Sequence, residues 1–181
     1  MVARASATDD SGMGKNWLTD KWVTLFRIPG IRELWAKSYQ GVTCEDIPWT
    51  PLNKPLAQCR IGLVTTGGLH LRSDPPFEMG DPDGDPSFRT VPCDAEASEL
   101  VITHHYYDHR DADRDLNLIW PRDVLKSLES AGSIGPLVLQ SVSFMGHING
   151  PHLNTLIQES ARSAAQEIRK QQADVVLLVP A

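Results

Sequence analysis

Residues 173–179 (ADVVLLV) place apolar side chains on both faces of an extended chain, and a strand of that kind needs a sheet covered on both sides. Residues 60–66 (RIGLVTT) repeat the pattern and close in Gly67-Gly68, as a buried strand ending in a tight turn does. Between these runs, 100–103 reads as a short strand and 136–142 as a longer apolar one. A helix is predicted over 121–131, with Pro121 in its first turn and Gly132 beyond its end. A second helix is predicted over 151–172, with Leu153, Leu156, Ile157, Ala161, Ala164, Ala165 and Ile168 on one stripe. Strands alternating with helices predict an α/β fold, a layered and mainly parallel sheet with flanking helices.

Upstream of this core the texture differs. Residues 1–15 are small and polar and read as a mobile tail. Residues 16–55 read as an N-terminal helical arm and a Pro-rich connector. Trp17, Leu18, Trp22, Leu25 and Phe26 recur at helical spacing, Pro29-Gly30 interrupts them, and Ile31, Leu34 and Trp35 resume the pattern. Pro48, Pro51 and Pro55 then favour extended chain. Residues 56–181 form the predicted α/β domain. The tryptophan-rich arm can cover its own core or dock on a second protein chain, either a partner or another copy.

Charge and cysteine usage narrow the function classes. The net charge is −6 and no Lys/Arg run is present, which argues against nucleic acid as a partner. No stretch has the apolar length a bilayer requires and the N-terminus has no hydrophobic signal region, so a cytoplasmic protein without a membrane partner is expected. Cys44, Cys59 and Cys93 fit neither a disulfide framework nor a zinc cluster, so they read as reduced thiols.

In open parallel sheets the ligand crevice lies outside the carboxyl ends of the strands, and chemistry-bearing residues gather at those positions here. Thr65, Thr66, Gly67, Gly68 and His70 follow the first strand, offering hydroxyls and backbone N–H groups to a small polar substrate. This turn is neither a dinucleotide fingerprint nor a Walker loop, so no nucleotide cofactor is indicated. Ser143 and His147 follow the strand over 136–142. Thr103, His104, His105, Tyr106, Tyr107, Asp108 and His109 form the densest cluster, open to a divalent metal on His104, His105, Asp108 and His109, to a substrate-binding His/Tyr patch, or to a structural turn. Asp111, Asp113 and Asp115 follow and could fix a histidine tautomer. The aspartates at 81, 83 and 85 do not make a calcium loop, because Pro86 and Pro92 stand where Gly and Glu are required. Arg89, beside an aromatic, could clamp a substrate carboxylate. The spatial expectation is that the turns at His70, His104 and His147 meet along one rim.

Several segments in one order then point to a family. They are 49–56 (WTPLNKPL), 64–70 (VTTGGLH), 73–77 (SDPPF), 84–89 (GDPSFR), 104–106 (HHY), 115–117 (DLN), Ile134-Gly135 and 143–146 (SFMG). Together they resemble the selenoprotein B subunit family of glycine, sarcosine, betaine and D-proline reductases. The resemblance implies an oxidoreductase-family subunit that takes part in reductive C–N cleavage of a small amino acid or amine, inside a complex with a pyruvoyl-bearing or other partner subunit. It implies His70, His104, His105 and Arg89 as pocket residues; the three histidines are the expected catalytic groups, and the strand-end residues Thr65, Thr66, Gly67, Ser143 and His147 are expected to bind substrate with Arg89. The family's selenocysteine or cysteine nucleophile lies in a loop beyond a strand like that over 174–180, followed by a second α/β half, and has no counterpart in this sequence. The chain therefore reads as a short form lacking that redox half. Two other readings stand beside it: a metal-dependent lyase or hydrolase using the 104–109 cluster, and a non-enzymatic interaction subunit of a larger complex.

Overall fold

The computed structural model describes residues 28, 30–38 and 49–181. The predicted tail over 1–15 and the first helical stretch, with Trp17 and Trp22, lie outside the described residues. The resumed helical pattern forms α1 (Ile31–Ser38), with Glu33 in its first turn and Lys37 in its last, the arrangement that complements a helix dipole. Residues 49–55 carry neither helix nor strand, as their prolines require.

The α/β unit is built on β1 (Ile61–Thr65), β2 (Leu69–Leu71), β3 (Phe88–Pro92), β4 (Leu100–Ile102), α2 (Arg122–Ser130), β5 (Gln140–Phe144), α3 (His152–Thr155), a π-helical turn (Leu156–Ser160), α4 (Ala161–Lys170) and β6 (Val175–Val179). The main sheet has the order β3-β5-β1-β6. β5 and β6 flank β1 in parallel, with Thr65 opposite both Ser143 and Val179, and β3 runs antiparallel to β5 at the edge. The predicted mainly parallel, layered α/β architecture is what the chain forms.

Alternation along β1 separates two cores. Ile61 and Leu63 pack with Leu69, Val91, Leu100, Ile119, Trp120 and Leu125, whereas Val64 packs on the other face with Val142, Phe144, Ala164 and Ile168. α4 thus covers one face of the sheet. β2, β4 and the segment leading into α2 cover the other. On that second side the Trp120 indole N–H donates to Ser141 Oγ at 2.9 Å, and the Ser141 hydroxyl donates to the Val91 carbonyl at 2.8 Å. The network satisfies a polar group 0% exposed in an apolar layer.

Four expectations need correction. The strand over 173–179 is not covered on both faces: β6 is an edge of the main sheet, and Val176, Leu177 and Leu178 are 42%, 39% and 69% exposed. The strand over 100–103 does not join the parallel sheet: β4 pairs antiparallel with β2, Leu69 opposite Ile102 and His70 opposite Val101. The strand over 136–142 is displaced to Gln140–Phe144, because residues 136–138 instead bond to the start of β1 and Leu139 turns outward, 76% exposed. The helix over 151–172 is interrupted by the π-helical turn rather than being uniform.

Among the described residues, no helix is long and apolar enough to cross a membrane.

Candidate functional site

The carboxyl ends of β1, β5 and β6 lie side by side, since the three strands are parallel and Thr65, Ser143 and Val179 share one register row. The turn after β1 is stitched to its neighbours. Thr66 N–H donates to the Val179 carbonyl at 3.1 Å and Gly68 N–H to that of Phe144 at 2.9 Å, while Gly67 N–H bonds to Thr65 Oγ1 at 3.1 Å. Thr66 Oγ1 accepts from Ala181 N–H at 3.0 Å. The N–H groups read in the sequence as ligand donors are therefore consumed within the fold, and this turn is a packing device that sets the chain course.

Gly68 brings the turn against the end of β4. A Cβ at that position would penetrate the Thr103 carbonyl oxygen and lie 3.0 Å from the His104 Cβ. His104 is held there, 4% exposed. Its ring meets Tyr107 edge-on at a centroid distance of 4.6 Å and Tyr106 at 6.0 Å, and Tyr106 in turn stacks on His147 at 3.7 Å. Tyr107 anchors the group by donating its hydroxyl to the Gly67 carbonyl at 3.1 Å. The His104 Nε2 faces Gly146, where a Cβ would approach it to 3.4 Å.

The protonation of His104 follows from its surroundings. Nδ1 accepts the Tyr106 N–H at 3.1 Å, so the ring proton of the neutral form sits on Nε2. Burial, reinforced by the nearby His147, His109 and His105, drives its pKa from 6.5 down to about 4. His104 is thus a neutral hydrogen-bond donor at physiological pH and a weak base. Burial also pushes the Tyr107 hydroxyl up to about 12, with Asp113 adding to the effect, and raises that of Tyr106 in the same direction. Both tyrosines remain protonated donors.

This arrangement yields a stability prediction. An unfolded histidine binds a proton near pH 6.5, and the folded one refuses it until about 4, so the unfolded state holds more protons between those values. Stability is full above that window and declines as the pH falls through it, by at most about 3 kcal/mol. Urea unfolding at pH 7 and pH 4.5 checks this: His104→Gln is expected to lose less stability on acidification than the parent, and equal losses would refute the assignment.

The other predicted residues are placed as follows. His147 shares the rim with His104; its Nε2–H donates to the Pro82 carbonyl at 2.9 Å. His70, 2% exposed, donates through Nδ1 to the Leu71 carbonyl at 2.7 Å and meets Thr103 Oγ1 through Nε2 at 2.8 Å, with Phe77 against its ring edge. Both of its nitrogens are engaged, which is a structural role. His105 points to solvent. Arg89 does not stand free for a substrate: it donates to the carbonyls of Pro75, Pro76 and Phe88 and to Ser87 Oγ, lies over the Phe77 ring at 4.5 Å, and so pins the 73–87 loop. Ser143 is 0% exposed and its Oγ finds no hydrogen-bond partner among the described residues.

The four metal candidates do not converge. Asp108 pairs with Arg110, His109 donates to Asp113 at 2.8 Å, His104 is turned to Gly146 and His105 to solvent. Among the described residues no three His, Cys, Asp or Glu side chains are grouped to hold a metal ion. Cys93 is buried, and desolvation raises its thiol pKa, the reverse of what a nucleophile needs.

Two partners were not read in the sequence. Asp81 accepts from His152 Nε2 at 2.8 Å, which with the Asn149 N–H to Asp83 carbonyl bond fastens the acidic loop beside His147. The tyrosines were visible inside the 104–109 cluster, but their packing on the imidazoles was not.

Comparison with known proteins shows what the chain is similar to. The chain is 30% identical over 148 residues to the D-proline reductase subunit gamma of Acetoanaerobium sticklandii, covering 82% of this chain. It is 27% identical over 81% of its length to the glycine reductase complex component B subunit gamma of Symbiobacterium thermophilum, and 27% identical over 63% to the sarcosine reductase complex component B subunit beta of Peptoclostridium acidaminophilum. The chain is similar to these amino-acid reductase subunits over most of its own length. This reductase-related chain spans 59% of the first relative's length, 34% of the second's and 27% of the third's. No family model matches it, and no solved structure matches it significantly.

Proposed function

We propose that this chain is a subunit of an amino-acid reductase complex and that the wall formed by His104, Tyr106, Tyr107 and His147 faces a small amino acid or amine. The observation that carries the reading is His104: a buried, neutral imidazole whose Nε2–H is directed to the carboxyl ends of the parallel strands, in a chain similar to reductase subunits. A neutral imidazole donor suits a substrate carboxylate or carbonyl, because it polarises the oxygen without carrying a charge into a dry site. The chain's own part is binding and orientation. Among the described residues neither Cys59 nor Cys93 fits the thiolate role, both being buried, and in this reading the thiolate or selenolate of a reductive C–N cleavage comes from outside them, in a complex with a second protein chain.

The test is turnover by the assembled complex. His104→Ala is expected to lower kcat/KM roughly a hundredfold while far-UV circular dichroism stays unchanged. His105→Ala, at a solvent-facing position, should stay near the parent rate. A folded His104→Ala complex with parental kcat/KM would end this reading.

A further inference from the structure

Away from the rim, a cleft of about 500 Å³ opens between β4 and the segment that leads into α2. Its floor is apolar, with Leu100, Ile102 and Leu116 set around Trp120. The charged groups above that floor can be sorted by what they already bind. Arg122 lies over the Trp120 ring at 5.0 Å and is spent on the Ala95 carbonyl at 2.6 Å and on Asp123 at 2.7 Å. Asp115 accepts from the backbone and side-chain N–H groups of Asn117, and Asp113 accepts from His109.

Two cations are left with donors to offer. Arg72 uses Nε on the Ser98 carbonyl at 2.8 Å, and its terminal nitrogens have no protein partner among the described residues. Arg114 engages Asp111 through one nitrogen at 3.1 Å and is otherwise exposed. Planar paired N–H groups above an apolar floor match a planar two-oxygen anion carrying an apolar body. The carboxylates of Asp113, Asp115 and Asp123 also line the cleft and repel a second negative charge.

We infer that this cleft binds a small monocarboxylate with an apolar tail, its carboxylate on Arg72 and Arg114 and its tail over Leu116 and Trp120. The inference is independent of the reductase reading, since it uses no residue of the rim. The two places are nevertheless joined: His109, at the edge of the cleft, meets Tyr107 at 5.7 Å, and Tyr107 meets His104 at 4.6 Å. A carboxylate in the cleft is therefore reported by the His109 ring.

Calorimetric titration of the full chain with acetate, propionate, butyrate, succinate and inorganic phosphate tests this, with imidazole NMR signals followed in parallel. Butyrate should bind at one site per chain, tightening roughly threefold to fourfold per methylene from acetate upward. Succinate and phosphate should bind more weakly than butyrate, and the His109 signals should shift on titration. Combined Arg72→Ala and Arg114→Ala substitution should weaken butyrate roughly tenfold or more, while Arg169→Ala, at an exposed position on α4, should not. Binding that ignores tail length, phosphate binding as tight as butyrate, or full retention of affinity in the double variant would each overturn the inference. Because the titration uses the isolated chain, its outcome is separate from the turnover of the complex.

Discussion

Gly68→Ala is expected to destabilise the protein by about 3 kcal/mol, read as a fall in the urea midpoint at unchanged slope. Two causes add. Gly68 has φ +70, where a side chain costs about 1 kcal/mol or more, and the added Cβ would run into the Thr103 carbonyl and the His104 side chain. The chain cannot yield cheaply, because Gly68 also donates to Phe144 and accepts from Thr103, both at 2.9 Å. Gly132→Ala separates the causes: φ is +69 there, but nothing lies within 4 Å of the added carbon. It should cost only about 1 kcal/mol. Equal losses in the two variants would mean that the contact between the β1 turn and His104 is slack.

Trp120→Ala should cost about 4 kcal/mol, the largest loss expected from a single side chain in this fold. The indole is 2% exposed and central to the larger core, and its N–H holds Ser141, whose hydroxyl holds Val91. Removal leaves a cavity and breaks a chain of bonds tying β3 and β5 to the segment before α2. Leu118→Ala provides the comparison, since Leu118 lies two residues away and is 58% exposed. It should change stability by no more than about 0.5 kcal/mol. A Trp120→Ala midpoint close to the parent's would mean that this core is not anchored on the indole.

What was legible in the sequence was local. β1 and α2 announce themselves because burial on both faces, or on one stripe, leaves a pattern that a short window detects, whereas β6 is legible only from its unbroken apolar run, since this edge strand is largely exposed. β2 and β4 escape notice as a separate sheet because three-residue strands are too short to show any period. Arg89 has the chemistry of a carboxylate clamp, and only the fold reveals that the carbonyls of Pro75 and Pro76 already occupy it. His70 likewise has the right chemistry and the wrong neighbours, with both nitrogens bonded inside the protein. The pairing of His152 with Asp81 spans 71 positions, and no spacing rule reaches that far. His104 does meet His147, but not as parallel strands ending together: His104 follows β4, which pairs antiparallel with β2, and the close approach of Gly68 to Thr103 and His104 brings it to the rim, while the tyrosine stacked on His147 was not readable at all.

The wide turn at Leu156–Ser160 has a geometric consequence for this neighbourhood. An inserted residue retards the helix phase by roughly 100°, without altering which amino acids it contains. In a uniform helix Leu156 would be swung well away from the azimuth of Ala164 and Ile168; with the retardation all three reach the same apolar cluster. The same offset sets the bearing of His152, one turn earlier, as it meets Asp81. Helix length in that stretch therefore works as an angular vernier, aligning the clasp on the acidic loop with the packing of the sheet.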